Sequence, residues 1–207
     1  DYAVLVINGA DGVQGHTETL WRLLKRYRIP VFLFVNKMDQ PGTDREALLS
    51  GLKRRLDSAV TDFTGVMAGT DGILSYSGDR ESREEIFEEI SMAGEELLEE
   101  YLEQGILSAD PVRQAVKERR LFPCYFGSAL KLTGVEEFLK GFETFTAGIG
   151  YSREFGARVF KISRDSQGTR LTWLKVTGGA LRPKELISGG AGEERWDEKA
   201  DQLLLYS

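Results

Sequence analysis

Asn36, Lys37 and Asp39 follow directly on the apolar run Val31-Phe-Leu-Phe-Val35, and together their side chains can read a planar base. An aspartate carboxylate accepts from two neighbouring N–H groups at once. Guanine offers that pair in its ring N–H and exocyclic amine; adenine does not. Asn36 can donate to a ring nitrogen, and the Lys37 stem can lie flat over the base. The wrong base would leave the carboxylate unpaired, which makes such a two-point contact strongly discriminating. The run before these residues has the pattern of a parallel strand buried on both faces, and in open α/β sheets ligands gather beyond the carboxyl ends of strands. A plainer reading stands beside this one: polar residues after a strand commonly form only a turn, and Pro41-Gly42 marks one here.

A second segment, Phe126-Gly-Ser-Ala-Leu130, follows another apolar run, Leu121-Phe-Pro-Cys-Tyr125. Small residues at a strand end let backbone N–H groups approach a flat ligand. The expected roles are the Ala129 N–H on a guanine carbonyl oxygen and Ser128 bracing the loop and Asp39. Alone, Ser-Ala-Leu is more often a helix N-cap. Two such signals, in this order on separate strands, carry more, and with both in place the chain resembles the G domain of a translational GTPase.

The resemblance extends along the chain. Asp1-Tyr-Ala-Val-Leu-Val-Ile-Asn-Gly-Ala-Asp-Gly-Val-Gln14, Thr17-Glu-Thr-Leu-Trp21 and Arg28-Ile-Pro-Val-Phe-Leu-Phe-Val-Asn-Lys-Met-Asp39 look like the stretch after the second switch in elongation factor G. Phe155-Gly-Ala-Arg-Val-Phe-Lys-Ile162, Gly168-Thr-Arg-Leu-Thr-Trp-Leu-Lys-Val176 and Gly179-Ala-Leu181 look like the opening of that family's β-barrel second domain. Leu97-Leu-Glu-Glu-Tyr-Leu102 and Leu121-Phe-Pro-Cys-Tyr-Phe-Gly-Ser128 are more similar to tetracycline-resistance ribosomal protection proteins. The resemblance implies an α/β fold: the C-terminal part of a P-loop GTPase G domain over residues 1–150, then the start of an all-β barrel domain over 151–207. It also implies GTP or GDP as ligand, selected by Asn36, Lys37, Asp39, Ser128, Ala129 and Leu130. The implied partner is the ribosome, through its RNA and proteins, and the implied setting is the cytoplasm, with no membrane involved.

No G-x-x-x-x-G-K-S/T occurs, so the loop that cradles phosphates and its hydroxyl ligand for Mg²⁺ are not in this sequence. Gly9-Ala-Asp-Gly-Val-Gln-Gly-His-Thr17 mimics it but holds His16 at the lysine position, and a neutral imidazole is a poor substitute for an ammonium reaching a polyphosphate. In the resembled family a catalytic histidine follows Asp-x-Pro-Gly; His16, the only histidine, does not match, and its expected place is exposed at a helix start. The expectation is therefore of a fragment cut within the G domain and again within the barrel. It has no catalytic or metal residues and no GTPase activity alone, because phosphoryl transfer depends on groups that position phosphate, Mg²⁺ and water.

Composition is consistent with a folded core: 207 residues, 41% hydrophobic and 10% aromatic, exclude wholesale disorder. One cysteine, Cys124, allows no internal disulfide and suits a reducing compartment. A net charge of −6 argues against a free-standing nucleic-acid binder. Acidic residues crowd 81–103, whose apolar positions Ile86, Ile90, Leu97, Leu98, Tyr101 and Leu102 predict a helix pair broken near Gly94 with a solvated acidic side. Lys53-Arg-Arg55 and Lys117-Glu-Arg-Arg120 suit either ribosomal RNA or packing on helix surfaces.

The expected elements are strands at 2–8, 31–36 and 121–127 with helices at 16–28, 43–58 and 134–146. A weakly β excursion falls at 61–80, and a helix near 110–119 is capped by Asp110 with Pro111 at its first position. A linker at 148–150 precedes strands at 155–163, 169–176 and 200–206. Two functional readings stay open: the guanine-recognition part of a ribosome-associated translational GTPase, or a nucleotide-independent ribosome-binding or regulatory module on a relic G-domain fold. A GTPase of another family is disfavoured by the barrel-like stretch from Phe155.

Overall fold

The computed structural model describes residues 1–148, 150–190, 192 and 195–205. It divides into two units, Asp1–Ala147 and Gly148–Ser207. The expected linker residue Ile149 lies outside the described residues.

The first unit is an α/β layer. Strands β1 (Ala3–Asn8), β2 (Val31–Asn36), β3 (Val60–Asp62) and β6 (Phe122–Phe126) form one parallel sheet in the order β1-β2-β6-β3. Between β3 and β6 the chain makes a short antiparallel hairpin, β4 (Val66–Ala68) with β5 (Leu74–Tyr76). Three helices follow, α3 (Arg80–Ser91), α4 (Glu95–Gln104) and α5 (Ala109–Lys117). The remaining helices are α1 (Gly15–Arg26), α2 (Arg45–Arg55) and α6 (Val135–Phe145).

Strand alternation sorts the core into two layers. Leu33, Val35, Leu5, Ile7 and Cys124 pack with Trp21 of α1 and Leu52 of α2. Phe32, Phe34 and Tyr125 point the other way, into Phe63, Phe87 of α3, Leu97 of α4, Val112 of α5, and Phe138 and Phe145 of α6. Period-2 alternation on a sheet covered on both faces gives this division. β1 differs: Val4 and Val6, on its second face, are 41% and 60% exposed.

The helices obey local rules with one shift. Asp44 caps α2, accepting from the Ala47 N–H at 3.1 Å. Asp44→Ala should cost about 1 kcal/mol in urea unfolding, the usual value of a lost cap; an unchanged midpoint would deny the cap a role. Gly94 separates α3 from α4 at the expected break. The α5 cap is Ser108 rather than Asp110, so Asp110 and Pro111 lie inside the first turn. Proline fits there because first-turn N–H groups have no intrahelical acceptor, while the Ser108 N–H and hydroxyl both bond Glu100. No helix is long and apolar enough to cross a membrane among the described residues.

The second unit consists of antiparallel pairs: β7 (Gly156–Arg164) with β8 (Arg170–Gly178), and β9 (Leu186–Gly189) with β10 (Trp196–Lys199). Asp165 closes the first turn by accepting from the Gln167 and Thr169 N–H groups at 2.9 and 2.8 Å. The expected strand at 200–206 is corrected: residues 200–205 carry none, and Tyr206 lies outside the described residues. The strand falls earlier because Trp196 pairs with Gly189 and lays its ring where a glycine side chain would be, a contact that fixes register.

Candidate functional site

The loops leaving β2 and β6 meet at the carboxyl end of the sheet and are stitched by backbone bonds. The Gly127 N–H donates to the Val35 carbonyl and the Met38 N–H to the Gly127 carbonyl, both at 3.0 Å. Gly127 is required by this approach, since a Cβ there would strike the Thr133 carbonyl oxygen and lie 3.0 Å from Phe34 Cζ. Gly9, after β1, donates to the Asn36 carbonyl at 2.7 Å and leaves room for the Met38 sulfur.

Asn36 joins the two loops through its side chain. Its Oδ1 accepts from the Lys37 N–H at 2.8 Å and the Ala129 N–H at 2.9 Å. Two backbone donors require the oxygen on that side, so Nδ2 is the group turned away; it makes no hydrogen bond among the described residues. The Ala129 N–H, the group expected to meet a guanine carbonyl oxygen, thus points into the seam between the two loops, where it bonds Asn36. Lys37 adopts a left-handed backbone, φ 67°, and its side chain is exposed.

Asp39 is the charged centre. The Ser128 hydroxyl beside it holds its carboxyl below the ordinary 3.8, against the upward push of desolvation and with help from its own backbone N–H and the nearby Lys131 ammonium. The carboxylate is thus ionised at neutral pH and acceptor-only. Its side chain is 22% exposed, and Lys131 Nζ lies 3.5 Å from Oδ2. Ser128 is buried; its N–H donates to the Thr133 carbonyl at 2.9 Å and its carbonyl accepts from the Thr133 N–H at 3.1 Å. Leu130 is 90% exposed. Five of the six candidate residues are therefore linked by hydrogen bonds or adjacent loop geometry, with Leu130 projecting beyond them.

Two residues of the site escaped sequence reasoning. Lys131 gave no signal, because nothing local shows that a lysine after Ser-Ala-Leu faces a carboxylate ninety residues earlier. Gly9 could have been found as the small residue ending an apolar strand beside the one that carries Asn36.

The other candidates lie elsewhere. His16 is exposed in the first turn of α1. The Thr17 hydroxyl accepts from the Gln14 N–H at 3.4 Å, so the phosphate-loop mimic closes a helix start. The basic clusters are largely engaged within the fold. Lys53 pairs with Glu89, and Arg55 with Glu18 and the Val13 carbonyl. Arg119 bonds the Ile29 carbonyl and lies over the rings of Trp21 and Phe122, while Arg120 bonds the Ala93 carbonyl. No group of three or more His, Cys, Asp or Glu side chains is arranged to hold a metal among the described residues.

Comparison with known proteins fits this geometry. The chain is 29% identical over 203 residues to the tetracycline resistance protein TetW of Butyrivibrio fibrisolvens, a match covering 94% of this chain and 31% of that protein. A crystal structure of a Thermus thermophilus protein superposes with a TM-score of 0.68 at 22% identity, covering 96% of this chain and 37% of that one; that likeness is one of fold. The chain spans about a third of the length of each. Residues 1–147 match the elongation factor Tu GTP binding domain, and with a parallel sheet carrying its polar loops at the expected strand ends, the chain belongs to that family of GTP-binding domains.

Proposed function

We propose that the loops after β2 and β6 read the guanine base of GTP or GDP. The observation that carries this is the Asp39 carboxylate, set where the two loops are stitched together by the Met38–Gly127 and Ala129–Asn36 hydrogen bonds. Its two oxygens suit the ring N–H and exocyclic amine of guanine, which a donor-acceptor edge such as adenine's cannot match. Asn36 Nδ2 supplies a donor for a ring nitrogen or the carbonyl oxygen. The left-handed turn at Lys37 leaves its stem free to cover a face of the ring, and Leu130 offers apolar surface beside it. The donor set therefore fits the base end of the nucleotide. The phosphates and Mg²⁺ call for groups of another kind, and this chain's residues take no part in phosphoryl transfer.

The family and the likeness to TetW support a wider reading, in which the full-length protein is a translational GTPase acting on the ribosome in the cytoplasm, with tetracycline protection as its specific role. Residues 1–150 serve as part of the G domain and 151–207 as part of a β-barrel.

The test is amide NMR of the chain with GDP and ADP at equal millimolar concentration. Shifts of Lys37, Gly127 and Ala129 with GDP alone are expected. Equal responses to the two nucleotides, or none, would remove base reading and leave the nucleotide-independent module as the better account.

A further inference from the structure

We propose that Lys131 is an internal competitor for the base-reading carboxylate: its ammonium holds Asp39 Oδ2 until a guanine base takes both oxygens, and it thereby sets how base binding responds to salt. The proposal rests on the base-reading role argued above and adds a residue that role did not require.

The contact is built into the loop. Residues Ser128 and Thr133 bond each other through both backbone pairs, at 2.9 and 3.1 Å, which closes the intervening segment into a tight turn. Within it the Lys131 N–H donates to Ser128 Oγ at 3.4 Å and the Leu132 N–H to the Ala129 carbonyl at 3.3 Å. Leu132 and Gly134 both take left-handed backbone, φ 57° and 74°. A Cβ at Gly134 would come within 2.6 Å of the Phe126 carbonyl oxygen, so glycine fixes where the turn ends. Lys131 is therefore presented to Asp39 by a pinned backbone, its N–H held by Ser128 Oγ and its ammonium 3.5 Å from Asp39 Oδ2.

The direction of the effect follows from charge. An aspartate at its ordinary value of 3.8 is already ionised at neutral pH, so the ammonium is not needed to keep it charged. What Lys131 adds is a donor on Oδ2, one of the two oxygens the base needs. The lysine side chain is 61% exposed, so the pair is weak, screened by salt and easily opened. A base entering must displace or share with the ammonium, and the cost of doing so falls as salt weakens the pair.

The experiment compares wild type with Lys131→Met, which keeps an unbranched stem and removes the charge at an exposed loop position. Guanosine is the probe, because it has no phosphate for the ammonium to attract. The variant is expected to bind guanosine about two- to fivefold more tightly at low salt, the range that exposed ion pairs allow, with the difference closing at high salt. In the ligand-free chain the Asp39 carboxyl, followed by carbon NMR, should titrate at higher pH in the variant. Equal or weaker guanosine binding by the variant at low salt, a difference that persists at high salt, or an unchanged Asp39 titration overturns the competitor role. If neither form binds guanosine while the fold is intact, base reading itself fails and the competitor role falls with it. The two failures are therefore separable.

Discussion

Asp39→Asn is expected to abolish the preference for guanine and transfer it to xanthine. The substitution replaces one acceptor oxygen by an NH₂ donor at nearly constant shape, so the carboxamide faces the guanine exocyclic amine donor to donor. Xanthine carries a carbonyl oxygen at that position and accepts the new hydrogen bond. A site built to pair hydrogen-bonding groups rejects the ligand that leaves them unpaired far more strongly than a hydrophobic pocket rejects a size change. The expected shift in the guanine-to-xanthine ratio is therefore about 100-fold or more. The measurement is competition between GDP and xanthosine diphosphate for binding to the protein. The structure adds a control: the Ser128 hydroxyl lies beside Asp39 and can donate to the asparagine carbonyl oxygen, so the variant should keep its fold and its thermal midpoint. Unchanged selectivity in a folded variant would remove Asp39 from the base contact.

Gly141→Ala should destabilise the first unit, against the ordinary rule. A glycine inside a helix is worse than alanine by about 1 kcal/mol, and Gly141 sits within α6. Here the added Cβ would fall on Tyr125 Oη and 2.6 Å from Cζ. Tyr125 is fully buried, with its ring centroid 5.4 Å from that of Phe138 and 6.3 Å from that of Phe63. A ring so enclosed cannot step aside, so α6 must shift from the sheet. The net loss should be about 1–3 kcal/mol, as for other overpacked cores. The same hydroxyl has no hydrogen-bond partner among the described residues. Removing it in a Tyr125→Phe background takes away the nearest obstacle and an unsatisfied buried group, and should recover much of the loss. Urea unfolding of the two single variants and the double variant reads the coupling directly. A Gly141→Ala protein more stable than wild type would mean that the tyrosine hydroxyl does not abut α6.

The sequence revealed those parts of the fold whose causes are local. Val31–Val35 is apolar at every position, and only a strand covered on both faces calls for that. Gly94 interrupts an acidic amphipathic stretch, and the helix breaks there. The candidate loops were legible for a related reason: polar and small residues directly after buried strands lie at the strand ends where ligands gather. What was not legible depends on residues distant in sequence. The bond between Asn36 and Ala129 spans 93 positions, and no local pattern reveals that the two loops are tied to each other there. The second unit was misread at its end for the opposite reason. Leu203-Leu-Leu205 has strand-like composition, but a strand needs a partner, and β9 pairs with Trp196–Lys199 instead. Ser108 displaced Asp110 as a helix cap because Glu100, from the preceding helix, holds it.

The bonds from Gly127 to Val35 and from Met38 to Gly127 have a kinetic meaning as well. They join chain segments separated by α2, β3, the β4–β5 hairpin and three further helices. Bringing such distant segments together costs loop entropy and slows folding. The surface formed by Asn36, Asp39 and Ser128 therefore has no existence in a half-assembled chain: β2 alone or β6 alone presents only part of it. Within this unit, possession of that surface amounts to a certificate of completed assembly, and any ligand recognising it would sample only finished molecules and stabilise them by mass action.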